Sequence, residues 1–224
     1  MEFHLSSQLS DRIGRWWSCF QEKAPALGRL FNAEEEWDLP EWMQRNLQAI
    51  SPHLMWEFGP AANGAGHRLV ITPEYRRDLR PLVARILDRA PGLDGWEFYA
   101  YRLPEDFEDA LRTVEARAGG DISDVSFALR PTEFNTIDIT FYSEGYRTAE
   151  SLQAGRGDAF AAVEALLGEE VLDRWIGIIE AEFLGDRPQD LRPIRKLRPA
   201  VSARIAKIRW THTRRSRPLD ARDH

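Results

Sequence analysis

The stretch from Trp56 to Arg102 constrains the fold more than any other part of the chain. Strands are predicted over 54–58 and 67–72, and the glycines and asparagine between these runs suit a hairpin loop that needs positive φ angles. Residues 79–90 carry apolar side chains at helical spacing, and apolar and polar residues alternate in 96–102. Because two strands joined through a packed helix form a right-handed crossover, we expect the second and third strands to run parallel.

The start of the helix over 79–90 is marked by two residues. Asp78 is the predicted N-cap, and Pro81 falls in the first turn, where a missing N–H costs nothing. Pro91 and Gly92 are predicted to end the helix.

The rest of the chain continues the succession of helices and strands. Further helices are predicted over 5–20, 40–50, 104–117 and 158–167, with a turn or two at 169–175, and further strands over 125–129, 137–141 and 178–184. The resulting order predicts an α+β fold, namely a ferredoxin-like split βαβ sandwich with an extra N-terminal strand and added helices. We expect an N-terminal helical region at 1–52 packed on the sheet, a core domain at 53–187, and a basic, partly helical C-terminal tail at 188–224.

Charge is distributed unevenly along the 224 residues. Residues 191–224 contain eleven Lys and Arg against two acids and therefore carry +9, so a net charge of −6 leaves −15 on the remainder. An acidic body with a basic tail is the clearest signal in the sequence that does not concern the fold.

The sequence also indicates a compartment. We find no pattern of a secretory signal peptide and no run of about 18 apolar residues that would span a membrane. The single cysteine, Cys19, cannot form an internal disulfide, which fits a reducing compartment. A cytoplasmic location without a membrane span is the resulting prediction.

Most motifs that carry chemistry are missing. The five histidines have no partner at metal-ligand spacing, and neither a nucleophile elbow nor a phosphate-binding glycine loop is present. The sequence therefore predicts no metal and no cofactor, identifies no catalytic residue, and favours a non-enzymatic role without excluding an enzyme.

The polar faces of the predicted strands supply the candidate partner-binding residues. Acids and tyrosines alternate there with the apolar residues, and tyrosine gives contact area at low entropy cost. The candidates are Glu57, Glu97, Tyr99, Tyr101, Asp138 and Tyr142. Two alternatives stay open: a solvated sheet face with cross-strand pairs, and an unrecognised hydrolase in which Glu57, Glu97 or Asp138 converge in a cleft.

The basic tail is the second candidate site. Apolar residues Val201, Ile205 and Ile208 are interleaved at helical spacing with the basic residues Arg195, Lys196, Arg198, Arg204, Lys207, Arg209, Arg214 and Arg215. A basic amphipathic helix can bind nucleic acid, an anionic surface or an acidic protein. It can equally fold back on the acidic body of its own chain.

Two blocks of the sequence carry a family resemblance. GHRLVITPEYRRDLRPLVARILDRAPGLDGWEFYAYR, at 66–102, and ALLGEEVLDRWIGIIEAEF, at 165–183, resemble an uncharacterised bacterial family of small α+β domains. That family is distantly similar in fold to the ribonuclease E inhibitory regulator B proteins. The resemblance implies a ferredoxin-like architecture and a role in protein binding, and it assigns no functional residue.

The hypothesis favoured by the sequence is therefore a non-enzymatic interaction or regulatory domain that binds a protein. A nucleic-acid-associated protein that uses the basic tail and a hydrolase that uses the sheet carboxylates are the alternatives. The sequence does not indicate the oligomeric state.

Overall fold

A computed structural model describes residues 7–186 and 190–215, with side chains described for 7–185 and 190–210. The chain divides into two compact units, Met1–Arg102 and Leu103–His224. The point of division differs from the predicted boundaries at 52/53 and 187/188. It lies inside the predicted core domain because each half of that domain builds a sheet and a hydrophobic core of its own.

Within the described residues, the first unit contains three α-helices and a three-stranded sheet in the order β1-β2-β3. Its elements are α1 (Ser7–Phe31), α2 (Leu39–Asn46), β1 (Met55–Pro60), β2 (His67–Thr72), α3 (Arg80–Leu87) and β3 (Trp96–Tyr99). β1 pairs antiparallel with β2, and β2 pairs parallel with β3. The predicted hairpin and the predicted parallel pair are both confirmed.

Two details of this unit differ from the sequence prediction. The first helix is longer than 5–20 and continues through Pro25 to Phe31. The predicted N-cap is wrong, because Asp78 lies inside a 3-10 turn, Arg77–Leu79, and its carboxylate binds Arg76 rather than a backbone N–H of α3. The helix α3 begins only at Arg80.

Aromatic residues dominate the core of the first unit. The apolar face of the sheet meets the helix α1, where the Phe20 ring lies 4.9 Å from Trp96 and the Trp17 ring lies 4.9 Å from Phe98. The Trp17 indole donates a hydrogen bond of 2.7 Å to the carbonyl of Ile86 in α3. The N-terminal helices are therefore part of this core and not a separate region.

The described part of the second unit contains four α-helices and a four-stranded sheet in the order β6-β5-β4-β7. Its elements are α4 (Phe107–Ala118), β4 (Ser126–Pro131), β5 (Ile137–Ser143), α5 (Ala149–Leu167), α6 (Glu169–Trp175), β6 (Ile176–Phe183), β7 (Arg192–Pro193) and α7 (Leu197–Arg215). β5 and β6 run parallel, and the pairs β4–β5 and β4–β7 are antiparallel. The short strand β7 was not predicted.

The segment predicted as a separate tail is part of the second core. Ile194, Leu197 and Val201 are at most 1% exposed and pack with Phe127 and Phe141 of the sheet. Its apolar stripe lies on the inner side of α7, while Lys196 and Lys207 are exposed. Up to residue 210, the basic segment folds back on its own unit, which was one of the two alternatives left open by the sequence.

The structure confirms the α+β class but distributes the strands over two sheets, where the alternation pattern was interpreted as a single sandwich. The reason is that α4 packs against α5 in the second unit, so the strands before and after α4 belong to different sheets. Alternation shows that a segment is a strand, whereas it does not show which strand is the neighbour.

Candidate functional site

The polar face of the first sheet contains the first group of predicted site residues. The register pairs Arg68 with Glu97 and Val70 with both Glu57 and Tyr99, so the alternation of the pleat puts all of these side chains on one face. The opposite face is the aromatic core. Glu57, Glu97 and Tyr99 are therefore brought together on one sheet, as expected.

The carboxylate of Glu97 binds the loop between β1 and β2. It accepts hydrogen bonds from the backbone N–H groups of Ala62 (2.7 Å) and Asn63 (2.9 Å) and from the Tyr99 hydroxyl (2.6 Å). The bond from Tyr99, followed by the bond from Ala62, lowers the pKa of Glu97. The same bond to Glu97 raises the pKa of Tyr99. The Glu97 carboxylate thus anchors the loop and is not suited to act as a general acid.

Glu57 lies at the centre of an ion-pair network. One oxygen is 3.3 Å from Nη2 of Arg68, and the other is 3.4 Å from Nε of Arg102, which also binds Glu74 at 2.9 Å. The Arg68 guanidinium lies flat on Gly59, where a Cβ atom would come within 2.9 Å of its Cζ. Both arginine side chains are at least four-fifths buried, so this network holds the polar face together.

Tyr101 lies beyond the end of β3 and does not belong to the ladder of that strand. The guanidinium of Arg80 lies 4.1 Å from the centre of the Tyr101 ring. Arg80 also donates to the carbonyls of Ala100 (3.0 Å) and Glu74 (3.1 Å). The expectation that Tyr101 alternates with the strand residues is therefore wrong, and its ring packs on a structural arginine.

Asp138 and Tyr142 lie on β5 of the second sheet, so the expectation that they share a face with Glu57 and Glu97 is wrong. Asp138 is 7% exposed, accepts a hydrogen bond from the backbone N–H of Ile178 (2.9 Å) and binds Arg130 (3.0 Å). A Cβ atom at Gly177 would come within 2.5 Å of Oδ1 of Asp138, so glycine is required for this close approach. Asp138 thereby attaches the start of β6 to β5.

Two acids that were not among the predicted site residues lie on the strand beside Tyr142. The register places Glu182 beside Tyr142 and Glu180 beside Thr140, and both glutamates are exposed. Burial and then the negative charge of Glu182 raise the pKa of Tyr142. No ion pair within residues 7–185 and 190–210 neutralises Glu180 or Glu182. The alternation of 178–184 contained the signal for both acids, because it placed Ile179, Ala181 and Phe183 on the other face.

The basic segment uses several of its cations for contacts within the second unit. Arg195 lies 3.4 Å from Glu108 and over the ring of Phe107, and Arg209 lies over Trp175. Arg198 donates to the carbonyls of Leu166 and Glu105. Lys196, Arg204 and Lys207 remain at or near the surface. The side chains of Arg214 and Arg215 lie outside the described residues.

Two buried acids on α5 were not among the predicted site residues, although both lie within the helix predicted over 158–167. Glu164 is 6% exposed and lies 2.6 Å from Nη1 of Arg117 on α4. Asp158 is 7% exposed, and its pKa is raised by burial against the opposing effect of a hydrogen bond from the Gly120 backbone. Burial, then the charge of Asp158, raises the pKa of Tyr146 to about 12.

Two general features of the described part of the chain bear on function. In the ranges 7–186 and 190–215, no helix is both long and apolar enough to cross a membrane. Among the same residues, no three His, Cys, Asp or Glu side chains come together in a way that could hold a metal ion.

The chain was compared with family models, curated proteins and solved structures. None of the three comparisons found a match. The resemblance to the bacterial α+β family and to the ribonuclease E inhibitory regulator B proteins therefore stays a prediction.

Proposed function

We propose that this protein is a non-enzymatic interaction domain that binds a protein partner. The observation that carries the proposal is the use of the candidate carboxylates: Glu57, Glu97 and Asp138 each bind neighbouring groups of their own unit. What the second sheet leaves to solvent is a pair of acids, Glu180 and Glu182, next to Tyr142. Tyr142 itself is buried, so the two exposed acids are what this face offers, and they suit recognition of a surface of opposite charge. The family resemblance implies the same kind of role.

A hydrolase would need a carboxyl group that stays protonated near neutral pH and is accessible to substrate. Hydrogen bonding lowers the pKa of Glu97, which is opposite to that requirement. Burial raises the pKa of Asp158, but this side chain is enclosed between α5 and the backbone of Gly120. The candidate carboxyl with a lowered pKa and the buried carboxyl with a raised pKa are therefore both poorly suited to act as an accessible general acid, which favours binding over acid–base catalysis.

Nucleic-acid binding through the basic segment is the second candidate, and it is weakened because Arg195, Arg198 and Arg209 contact their own unit. Truncation after Asp190 would not test it, since the cut also removes Leu197 and Val201 from the core. A variant with Lys196, Arg204 and Lys207 changed to glutamine leaves those apolar residues in place. If nucleic acid is the ligand, this variant binds it more weakly and with a smaller dependence on salt.

The proposal is tested with the full-length protein as bait in native lysate at physiological salt. We expect a protein that co-purifies in a fixed molar ratio and forms one complex with the purified chain in size-exclusion chromatography with light scattering. The Lys196, Arg204 and Lys207 variant should retain that protein. Turnover in a panel of ester, phosphoester and glycoside substrates that is lost in Glu57→Gln, together with no stoichiometric protein, would contradict the proposal.

A further inference from the structure

We propose that the free edge of β6 binds an extended, basic segment of the partner by adding it to the second sheet as a further strand. This inference rests on the proposed function and names its surface and the chemistry of its partner. A strand at the edge of a sheet presents unpaired N–H and C=O groups, and main-chain pairing with an added strand is an established mode of peptide recognition.

The four sheet edges differ in their suitability for such pairing. β7 has two residues and includes Pro193, β3 has four residues, and β1 ends in Pro60. Proline removes a donor and short strands offer few groups, so these edges are blunted. β6 has eight residues without proline, and within the described residues no strand pairs with its outer side. It is the longest of the four edge strands.

A register shift limits which residues of β6 can pair with an added strand. The register between β5 and β6 shifts between Ile137 and Ile139, where Gly177 and Ile178 form a bulge held by Asp138. A bulge disrupts the ladder locally. From Ile179 to Phe183 the register is regular, so an incoming strand has five consecutive residues to pair with.

The side chains along this stretch define the partner. Glu180 and Glu182 are exposed, Ile179 and Ala181 belong to the core that the helices of the unit cover, and the Phe183 ring lies under the guanidinium of Arg147. Opposite charges on neighbouring strands attract, whereas like charges repel. A strand that carries Lys or Arg at every second position, with small or β-branched apolar residues between them, therefore matches both faces.

The same charges disfavour a second copy of this chain as the occupant. An antiparallel pairing of two β6 strands centred on Glu180 places this glutamate opposite its own counterpart, and no described cation of the sheet face lies beside it. Directly opposed like charges destabilise a strand pair. A basic segment from another protein avoids this repulsion.

The test uses full-length protein and three labelled nine-residue probe peptides in fluorescence anisotropy. The first alternates lysine with valine and threonine, the second is identical but N-methylated at alternate residues, and the third has glutamate in place of lysine. We expect the lysine peptide to bind and to protect amides of 179–183 from hydrogen exchange. N-methylation, which removes backbone donors, should weaken binding by about tenfold or more, and the glutamate peptide should not bind.

A charge-reversal variant and its control distinguish binding at this edge from a general electrostatic attraction to the protein. The double variant Glu180→Lys and Glu182→Lys should lose about tenfold in affinity for the lysine peptide. The control changes the exposed Glu115 and Glu133 to lysine, which alters the net charge equally, and should change affinity less than about twofold. The inference is overturned if the lysine peptide does not bind, or if the N-methylated peptide binds equally well. It is also overturned if the peptide protects amides outside β6 from hydrogen exchange. A stoichiometric partner that binds the β6 variant normally overturns the inference alone and leaves the proposed function standing.

Discussion

The two sheets use their carboxylates in different ways. On the first sheet Glu57 and Glu97 are bonded to arginines, loop amides and a tyrosine, so that the polar face is tied together by its own bonds. On the second sheet Asp138 is buried and bonded in the same way, whereas Glu180 and Glu182 remain exposed beside the buried Tyr142. Similar strand patterns therefore give one face whose acids are used within the unit and one that keeps two acids exposed.

The largest effect should come from the basic segment, which distinguishes the second unit by supplying part of its core. Leu197→Ala removes a fully buried side chain and should lower the free energy of unfolding by about 2–5 kcal/mol. The neighbouring control, Lys196→Ala, is exposed and should change it by less than about 0.5 kcal/mol. Denaturant unfolding measures both values, and similar small losses would show that the segment does not belong to the core.

A smaller effect is expected at the buried acid of the second unit. Because the pKa of Asp158 is raised in the folded protein, the folded state binds a proton more readily than the unfolded state does. The stability of the wild type should therefore rise as the pH falls from neutral towards the unfolded value near 3.8, and this rise should be absent in Asp158→Asn.

Chemical denaturation at a series of pH values measures the free energy of unfolding of the wild type and of Asp158→Asn. We expect the difference between their pH profiles to be of the order of 1 kcal/mol, because one buried oxygen of Asp158 lacks a donor. Asp121→Asn is the control, since this exposed acid has a lowered pKa and should change stability in the opposite direction with pH. Parallel pH profiles of the wild type and Asp158→Asn would contradict the assignment.

The smallest effect is expected when one acid on each sheet is replaced. Glu97→Gln weakens the anchor of the loop, so the amides of Ala62 and Asn63 should exchange faster at neutral pH. Since the folded pKa of Glu97 is lowered, its contribution is present above the unfolded value and is lost as the pH falls through the folded value.

Glu180→Gln is the matched control and should leave exchange in its sheet unchanged, because this acid is exposed and binds no described cation. The contrast between the sheets would fail if both substitutions had the same effect on hydrogen exchange.

Local patterns were sufficient to predict much of the secondary structure. The strand predicted over 67–72 matches β2 residue for residue, and the helix predicted over 104–117 ends as α4 at Ala118, with Gly119 in the left-handed conformation. The start of α5 was missed because its capping box pairs Thr148 with Ser151, where the usual signature has Glu or Gln.

The candidate site was less predictable because its chemistry depends on tertiary neighbours. Alternation correctly placed Glu57, Glu97 and Tyr99 on one face. It could not show that the Glu97 carboxylate meets the N–H groups of a loop more than thirty residues away, or that Glu180 and Glu182 stay exposed. The division into two sheets was unpredictable for the same reason, since pairing is a property of the assembled strands.

The attachment of the 61–66 loop to Glu97 also determines the order in which the first unit can fold. The hairpin of β1 and β2 joins residues close in the chain, whereas the anchor arrives only with β3, after α3 has closed the crossover. Contacts between distant residues form late when a loop must close first. The hydrogen bonds made by Glu97 should therefore be largely unformed in the transition state for folding. They should slow unfolding and have little influence on the rate of folding.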